Sequence, residues 1–443
     1  MRTLYRHTVS RQNSTCHSNI RYCLMMLWLL LATVLTACSD GSDSNEVMPT
    51  PQGPAVLNIY VFAPGQAVPT RGNEGQVDAN PDAEENAVKK LQIWVFKNSN
   101  KSLVTYFETT SLEPSAERFE LPIPSEFATA PEAVDVFVLA NVSALNCGLT
   151  LGQKTTHAQL EAAVLQGDYF GLSETPVTEV PFEGLPMSGV IRNQSVTKES
   201  EDSPILYLGA KDNLAKVKLA RAVSKVRFVF SCSTAFDALE IVSITFKANM
   251  IPKQEYLFLE DPYNPDNNYF HINTNAETGG GYNDAVSPNL FPTFESVRCE
   301  DPAHYAWDRL THDMPLNPPY VTSQDQAEAY EELINEGLSS NEDHAEPRLT
   351  ERRVYLRESD KQLEGTITYR IKDKDAESFG TEKTELFLML PPGIGDTDPY
   401  NYFSRNHTWI VFSYLAWAKM NIVAVHVDKW QSTQDYDHTL YNW

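Results

Sequence analysis

The sequence predicts an all-β protein with minor α content, built from two tandem antiparallel β-sandwich domains. Short runs rich in Val, Ile, Tyr and Phe recur along the chain, and 27 Pro and 20 Gly residues separate them, which is typical of strands joined by tight turns. A length of 443 residues is sufficient for two domains of ordinary size. No repeat of fixed period is visible, which argues against a solenoid or propeller.

The first 37 residues have the pattern of a lipoprotein signal peptide. This leader contains four Arg and no acidic residue, and its apolar stretch 24–37 (LMMLWLLLATVLTA) is shorter than the ~20 residues that a membrane-spanning helix needs. The stretch ends in Leu35-Thr36-Ala37-Cys38, the residue order of a bacterial lipobox. We therefore predict cleavage before Cys38 and a covalent diacylglycerol, with its palmitate-type acyl chains, on the Cys38 thiol. The alternative is a plain signal peptide with a chance cysteine.

The predicted first domain covers residues 55–213, after a polar tether at 38–54. It opens with a strand at Val56–Phe62 (VLNIYVF), followed by a loop over 63–85 that is rich in Pro and Gly. Leucine and valine one turn apart predict a short helix at 156–165. The other strands expected in this domain lie at 91–96 (LQIWVF), at 103–107, which pairs with 91–96 as a hairpin, and at 134–139 (VDVFVL).

The predicted second domain covers residues 214–443 and contains a long irregular insertion at about 252–350. One helix is expected inside this insertion, at 324–337 (QDQAEAYEELINEG). The strands expected around the insertion lie at 217–219, 226–230, 241–246, 354–356, 366–371, 386–390, 408–414 and 422–427.

The charge balance excludes one class of partner. Lys and Arg number 35 against 59 Asp and Glu, which gives a formal net charge of −24. Nucleic acids and anionic membrane surfaces require basic patches, so neither is expected as a partner. The acidity is typical of a secreted, self-repelling surface.

No catalytic or metal-binding motif emerges from the sequence. The HExxH, GxSxG and phosphate-loop patterns are absent. The alternate oxygen-bearing residues Asn264, Asp266 and Asn268 are followed by Tyr269 where a calcium loop needs Gly. Cys147, Cys232 and Cys299 are far apart and odd in number, so no disulfide framework can be read, and each is expected to be a small buried apolar residue. We predict no enzyme, no metal and no cofactor beyond the lipid on Cys38.

A set of segments follows in order along the chain: the lipobox, the first strand, an Arg in the next loop, LQIWVF, 136–141 (VFVLAN), 185–190 (LPMSGV), 219–226 (LARAVSKV), 405–412 (RNHTWIVF) and 425–430 (VHVDKW). This ordered set resembles the fimbrillin (major fimbrial subunit) family of Bacteroidales type V pilins. Two features depart from the family pattern: the insertion is long for a stalk subunit, and 354–358 (VYLRE) only loosely matches the family's Tyr-x-Pro-Glu.

The resemblance implies transthyretin-like sandwiches and a route of assembly. Family subunits reach the outer membrane as lipoproteins, and an Arg-specific protease then removes the first strand. Applied here, the cut falls between Arg71 and Gly72, and the displaced strand carries Val56, Leu57, Ile59 and Val61. The implied location is the outer membrane facing the cell surface, and then a fimbrium. The implied partners are other pilin subunits through strand exchange, the membrane through the lipid before processing, the protease, and surface ligands of host or bacteria.

Elementary physics supports such an exchange. Removal of an edge strand exposes unpaired N–H and C=O groups and an apolar groove, and a strand of another chain can satisfy both. Each large aliphatic side chain left unreplaced costs about 1.5–3 kcal/mol.

Four questions remain open at the level of sequence. Arg71 can be an ordinary loop residue that no protease cuts. The donor segment can be 422–427 or the tail beyond it, and the subunit can belong to the stalk or be an accessory or tip subunit, which the long insertion favours. The chain can also be a surface lipoprotein that never polymerises and binds glycan or protein through aromatic residues of the insertion, which are Tyr263, Tyr269, Tyr282, Tyr305 and Trp307.

Overall fold

The computed structural model describes most of the chain between residues 55 and 427. The described residues are 55–62, 84–110, 118–166, 170, 176–210, 213–233, 235–258, 272–292, 297–298 and 349–389, and then 403, 405–406, 408–416 and 419–427. In this part of the chain no helix has the length and apolarity needed to cross a membrane.

Strands dominate the described residues. They are β1 (Val56–Phe62), β2 (Leu91–Lys97), β3 (Leu103–Thr109), β4 (Arg118–Pro122), β5 (Val134–Ala140), β6 (Val164–Gln166), β7 (Met187–Gln194), β8 (Val196–Lys198), β9 (Ile205–Ala210), β10 (Asn213–Leu214), β11 (Lys216–Lys218), β12 (Ala220–Arg221), β13 (Ser224–Cys232), β14 (Phe236–Phe246), β15 (Gln254–Tyr256), β16 (Val297–Arg298), β17 (Thr350–Leu356), β18 (Glu364–Asp373), β19 (Lys383–Leu388), β20 (Thr408–Ala416) and β21 (Lys419–Val427).

The helices in the described residues are short. They are α1 (Ser125–Thr129), α2 (Ala144–Cys147) and α3 (His157–Glu161), with a 3-10 turn at Ala276–Thr278. The N-terminus of α3 is closed by a capping box, in which the Thr156 hydroxyl accepts from the Gln159 N–H and the Gln159 side chain accepts from the Thr156 N–H.

The first sandwich is formed by β1 to β5 and β7 to β12. One sheet has six strands, with β10, β9, β1 and β11 in order and β4 and β8 joined to β1 and β9. The other has five strands, in the order β12-β7-β5-β2-β3. Their inner faces meet in a buried cluster that includes Leu57, Ile59, Val95 and Val136. Alternation along the strands directs these side chains to one face, which is why the two sheets pack.

The second sandwich is formed by two four-stranded sheets. Their orders are β17-β13-β20-β21 and β16-β14-β18-β19. Phe228, Ile244, Ile367 and Trp409, drawn from both sheets, are buried together. The predicted fold class is therefore confirmed, with one refinement: β13 runs parallel to β20, and β1 runs parallel to β9 and β11, so these sheets are mixed.

A third buried cluster lies between elements of the two sandwiches. The outer face of the five-stranded sheet contributes Trp94 and Phe137, and the chain after β15 contributes Phe258, whose ring meets that of Phe137 edge to face at 4.9 Å. Nearby, β6 pairs antiparallel with β15. The change from the first pair of sheets to the second falls between Arg221 and Ser224. The division into domains 55–213 and 214–443 stays a prediction.

Gly189 in β7 allows the two sheets of the first sandwich to approach closely. A Cβ at this position would lie 2.4 Å from the carbonyl oxygen of Lys218, which directly follows the buried Val217 of β11. No real Cβ tolerates such a contact with backbone, so the crossing of β7 and β11 requires glycine here.

Most of the predicted strands are confirmed, and one predicted helix is mostly wrong. β1 has the predicted bounds, and β2 and β3 form the expected hairpin. The helix expected over 156–165 ends at Glu161, and Val164 and Leu165 belong to β6 instead. Pairing with β15 satisfies the backbone of these residues, and a local period cannot reveal a partner about 90 residues away. The helix expected at 324–337 lies outside the described residues.

Candidate assembly site

β1 is the strand that, by the family resemblance, is expected to be displaced, and it lies inside its sheet. Val56 to Tyr60 pair antiparallel with β4, while Val56 to Asn58 also pair parallel with β9. The far end of the strand, Tyr60 to Phe62, pairs parallel with β11. β1 therefore has hydrogen-bonded neighbours on both sides, and the expectation of an edge strand is wrong. The central position of β1 was not expected, because no strand is predicted from the sequence at β4 or β9.

The inner face of β1 is apolar and buried. Leu57, Ile59 and Val61 alternate along the strand and are all buried in the core of the first sandwich. At about 1.5–3 kcal/mol for each buried aliphatic side chain, an empty site would lose several kcal/mol, before its unpaired backbone groups are counted. The site therefore requires an occupant with the same alternation.

The outer face of β1 carries a polar contact between two apolar ends. Asn58 is only 1% exposed. Its Oδ1 accepts from Arg118 Nε of β4 at 2.7 Å, and its Nδ2 donates to the Leu206 carbonyl of β9 at 3.3 Å. At the end of the strand, Lys216 Nζ lies 5.2 Å from the centre of the Phe62 ring. Asn58 thus connects the two strands that flank β1.

The chain is next described at Glu84, and Glu85 is tied to the second sandwich. Its carboxylate lies 2.9 Å from Lys225 Nζ of β13 and accepts from the Tyr355 hydroxyl of β17 at 2.6 Å. Arg353 of β17 approaches the same carboxylate at 3.3 Å. The Arg221 guanidinium donates to the Glu85 carbonyl and to Asn86. The segment that follows residues 63–83 is therefore held independently of β1.

Burial and charge act in opposite directions on this ion pair. Burial by itself would raise the pKa of the Glu85 carboxyl, but the charge and hydrogen bond of Lys225, aided by Tyr355, outweigh it and hold that pKa below its usual range. The pKa of Lys225 is lowered, because burial of its ammonium group outweighs the attraction of Glu85. Folding therefore stabilises the charged form of the Glu85 carboxylate, which accepts from several donors.

The segments that carry the family resemblance hold buried polar side chains with structural roles. Asn141, at the end of VFVLAN, accepts from the Lys89 N–H at 2.8 Å and donates to the carbonyls of Ala87 and Leu185 at 2.8 and 2.9 Å. It therefore fixes the segment after Glu85 to the end of β5. Ser188 of LPMSGV donates to the Leu257 carbonyl and so joins β7 to the chain after β15.

Arg405 organises a second buried charged cluster. Its Nη2 lies 3.0 Å from Glu358 Oε1, and it also donates to the carbonyls of Tyr256 and Leu257 at 2.6 and 3.1 Å. Glu255 accepts from the Glu358 N–H at 2.7 Å. Burial raises the pKa of Glu255 to about 8; Arg405 opposes this shift and Glu358 adds to it. Glu358 closes the segment VYLRE, so the loosely matching segment still supplies a buried carboxylate.

Several predicted site residues lie outside the described part of the chain. These include Cys38, Arg71 and Gly72, and all the insertion aromatics named above except Tyr282. Tyr282 is engaged locally: its hydroxyl bonds Asp360, and Lys361 Nζ lies 3.6 Å from the centre of its ring. Residues 422–427 are part of β21, which pairs with β20 along its whole length.

The cysteines and metal-ligand residues add one correction. Cys147 is a buried free thiol, as expected. Cys232 is disulfide-bonded rather than a simple buried apolar residue. A disulfide fits an oxidising compartment outside the cytoplasm. Among the described residues, no group of three or more His, Cys, Asp or Glu side chains is arranged to hold a metal.

Comparison with solved structures finds similar chains of low identity. One, named a candidate cell adhesion protein, comes from Parabacteroides distasonis; it is 16% identical with a TM-score of 0.44, and the match covers 84% of this chain and 96% of that one. The tip fimbrial protein Mfa3 from Porphyromonas gingivalis, with a C-terminal truncation, is 12% identical with a TM-score of 0.40, covering 85% of this chain and 100% of that one. A fimbrial assembly protein from P. distasonis is 9% identical with a TM-score of 0.36, covering 83% and 94%.

No curated protein matches this chain, whereas one part of it matches a family model. Residues 55–221, the part that contains β1 and both sheets of the first sandwich, match the family model described as major fimbrial subunit protein (FimA). The match supports a structural pilus subunit rather than an enzyme. The resemblance to the major fimbrial subunit family is therefore confirmed over residues 55–221.

Proposed function

We propose that this chain is a stalk or accessory/tip subunit of a cell-surface fimbrium and that it assembles by exchanging β1 for a strand of a neighbouring subunit. The observation that carries the proposal is the position of β1. This strand supplies three buried aliphatic side chains to the core, and it has hydrogen-bonded neighbours on both sides. Its loss would open a groove that only another strand fits.

The route to the filament begins with export. The Cys38 thiol receives the lipid, which holds the subunit at the outer membrane facing the cell surface. An Arg-specific protease then cuts between Arg71 and Gly72, within residues 63–83. The cut leaves β1 attached to the lipid-bearing fragment, while the rest of the chain is free to leave with a new partner strand in place of β1.

The anchoring of Glu85 supports this route. The residues after the cut remain fastened to β13 and β17 through Lys225 and Tyr355. Removal of β1 therefore does not require that the following segment detach. An empty groove exposes apolar core surface to water, at a cost of several kcal/mol. Binding of a donor strand removes this cost and is therefore strongly favoured.

The donor is placed after β21 in this proposal. β21 pairs with β20 over nine residues, and its withdrawal would leave β20 paired on one side alone, with β13. Residues 428–443 remain as the candidate donor. A contact between the donor of one copy and the groove of the next does not close on itself, so repetition yields a filament that can support adhesion.

Treatment of the purified mature chain with an Arg-specific protease tests the proposal. We expect a ladder of SDS-resistant polymers on gels run without heating, and we expect none from an Arg71→Lys variant, which keeps the charge but removes the cleavage site. Mass spectrometry of the product locates the cut. Clean cleavage after Arg71 that yields monomers alone contradicts strand exchange and favours a surface lipoprotein that binds glycan or protein without polymerising.

A further inference from the structure

Resting on the proposed function, we infer that the site vacated by β1 selects its incoming strand by one polar position. That strand must carry a side chain that accepts a hydrogen bond from Arg118, placed between two inward-facing apolar residues. The partner is thus a β-strand of another subunit with the order apolar, acceptor, apolar, as in Leu57 to Ile59 of β1. In the candidate donor 428–443, Tyr441-Asn442-Trp443 places an acceptor between two aromatic residues.

The position is defined by contacts on both neighbouring strands. Arg118 lies directly opposite Tyr60 in the β1–β4 ladder, and its guanidinium reaches diagonally to Asn58. Glu120, directly opposite Asn58, holds Arg118 Nη2 at 2.7 Å and so orients the guanidinium. On the other side, the buried Leu206 supplies the carbonyl that accepts from Asn58. Both polar contacts remain on the subunit when β1 leaves.

These contacts also determine the register of the occupant. A slip of one residue would bring every side chain of the strand to the opposite face. The acceptor would then lie in the core beside Leu121, and a leucine or isoleucine would face Arg118. An incoming strand that is apolar at every position fills the groove in either register, whereas one with the acceptor fits in a single register. Hydrogen bonds to Arg118 and to the Leu206 carbonyl therefore select the residue type at this position and the register of the donor.

Peptide exchange into the cleaved full-length chain tests this inference. The probe is the labelled β1 sequence VLNIYVF with flanking lysines for solubility, added to the protease-treated chain. Three peptides are compared: the native sequence, Asn58→Leu and, as the matched control on the same face, Tyr60→Leu. We expect Asn58→Leu to bind about tenfold more weakly than the native peptide and Tyr60→Leu to stay within about threefold, since a partly buried hydrogen bond from a charged donor is lost only in the first.

A protein variant assigns the effect to Arg118. In the Arg118→Met variant, the difference in affinity between the native and Asn58→Leu peptides should decrease to about threefold or less. Arg370→Met is the matched control, because Arg370 is also a strand arginine paired with a glutamate and is similarly exposed, at 39% against 43% for Arg118. Thermal melting of the uncleaved variants confirms that both are folded.

The outcomes separate this inference from the proposed function. If polymers form but the native and Asn58→Leu peptides bind equally, only the inference is overturned. If neither peptides nor polymers are captured after cleavage, the proposed function fails and the inference with it. If polymers form while no peptide enters, the rate of ladder formation decides: Arg118→Met must slow it relative to Arg370→Met, and equal rates overturn the inference.

Discussion

At the residue scale, the buried carboxylate of Glu85 joins the segment after β1 to the second sandwich. Nothing in the local sequence marks it, because Glu84-Glu85 reads as a polar turn at the end of a loop. Its partners Lys225 and Tyr355 are more than 100 residues away in the chain. The signal that could have pointed to it is Lys225 inside the apolar strand β13, since a lysine there needs a buried acid.

We predict that Glu85→Gln destabilises the uncleaved chain by about 3 kcal/mol at neutral pH. The substitution keeps the shape of the side chain but leaves the buried Lys225 ammonium without its counter-charge. Urea unfolding followed by tryptophan fluorescence measures the change. Glu377→Gln, at an exposed position between β18 and β19, is the control and should change the stability by less than about 0.5 kcal/mol.

The pH dependence of this difference follows from the lowered pKa of Glu85. A carboxyl whose pKa is lowered by folding contributes stability that is present above its unfolded pKa and is lost as the pH falls through the folded value. The difference in free energy of unfolding between the wild-type chain and Glu85→Gln should therefore be largest at neutral pH. It should decrease steadily in acid below about pH 4.5. A difference in free energy of unfolding that does not change with pH would show that Glu85 stabilises the fold through packing and not through its charge.

At the element scale, β1 shows which properties of a strand can be predicted from the alternation of its residues. The alternation in VLNIYVF predicted both its bounds and its inward-facing residues, Leu57, Ile59 and Val61. It did not reveal that the strand is central, since that depends on β4 and β9, which pair with it from the distant residues 118–122 and 205–207. β4 and β9 are short segments, so their pairing is set by tertiary structure rather than by a strong local pattern.

We expect Ile59→Ala to cost about 2–5 kcal/mol in the uncleaved chain, because it leaves a cavity at a fully buried position of the core. Val56→Ala, on the same strand but only half-buried, should cost less than about 1 kcal/mol. Chemical denaturation of both variants measures the difference. Equal and small costs would mean that the inner face of β1 contributes little to the core, and strand exchange would then lose its driving force.

At the scale of the whole molecule, the end strands of the described sheets are alternatives to the β1 site for an added strand. β19 ends the order of described strands in its sheet, and its Leu386 is 66% exposed, so an added strand would meet an apolar side chain there. The proposed assembly uses the β1 site instead, because a strand added beside β19 would replace no side chain of the buried core.

We predict that Leu386→Lys leaves the protease-triggered polymer ladder unchanged. A lysine on an edge strand blocks strand addition there without disturbing the buried groove at β1. Native gels of cleaved wild-type and variant chains make the comparison, with Arg71→Lys as the variant that should not polymerise. Loss of the ladder in Leu386→Lys would move the site of assembly from β1 to β19.

The sequence by itself determined the strand-rich fold class, the bounds of the strongly alternating strands and the apolar face of β1. These properties depend on residues two positions apart and on local turn chemistry, which any single segment displays. Only the tertiary structure decided that β1 is central, that Val164 and Leu165 form a strand, and that Glu85 is buried. Each of these depends on a partner tens to hundreds of residues away, and hydrogen-bond pairing or ion pairing at that distance leaves no periodic trace in the chain.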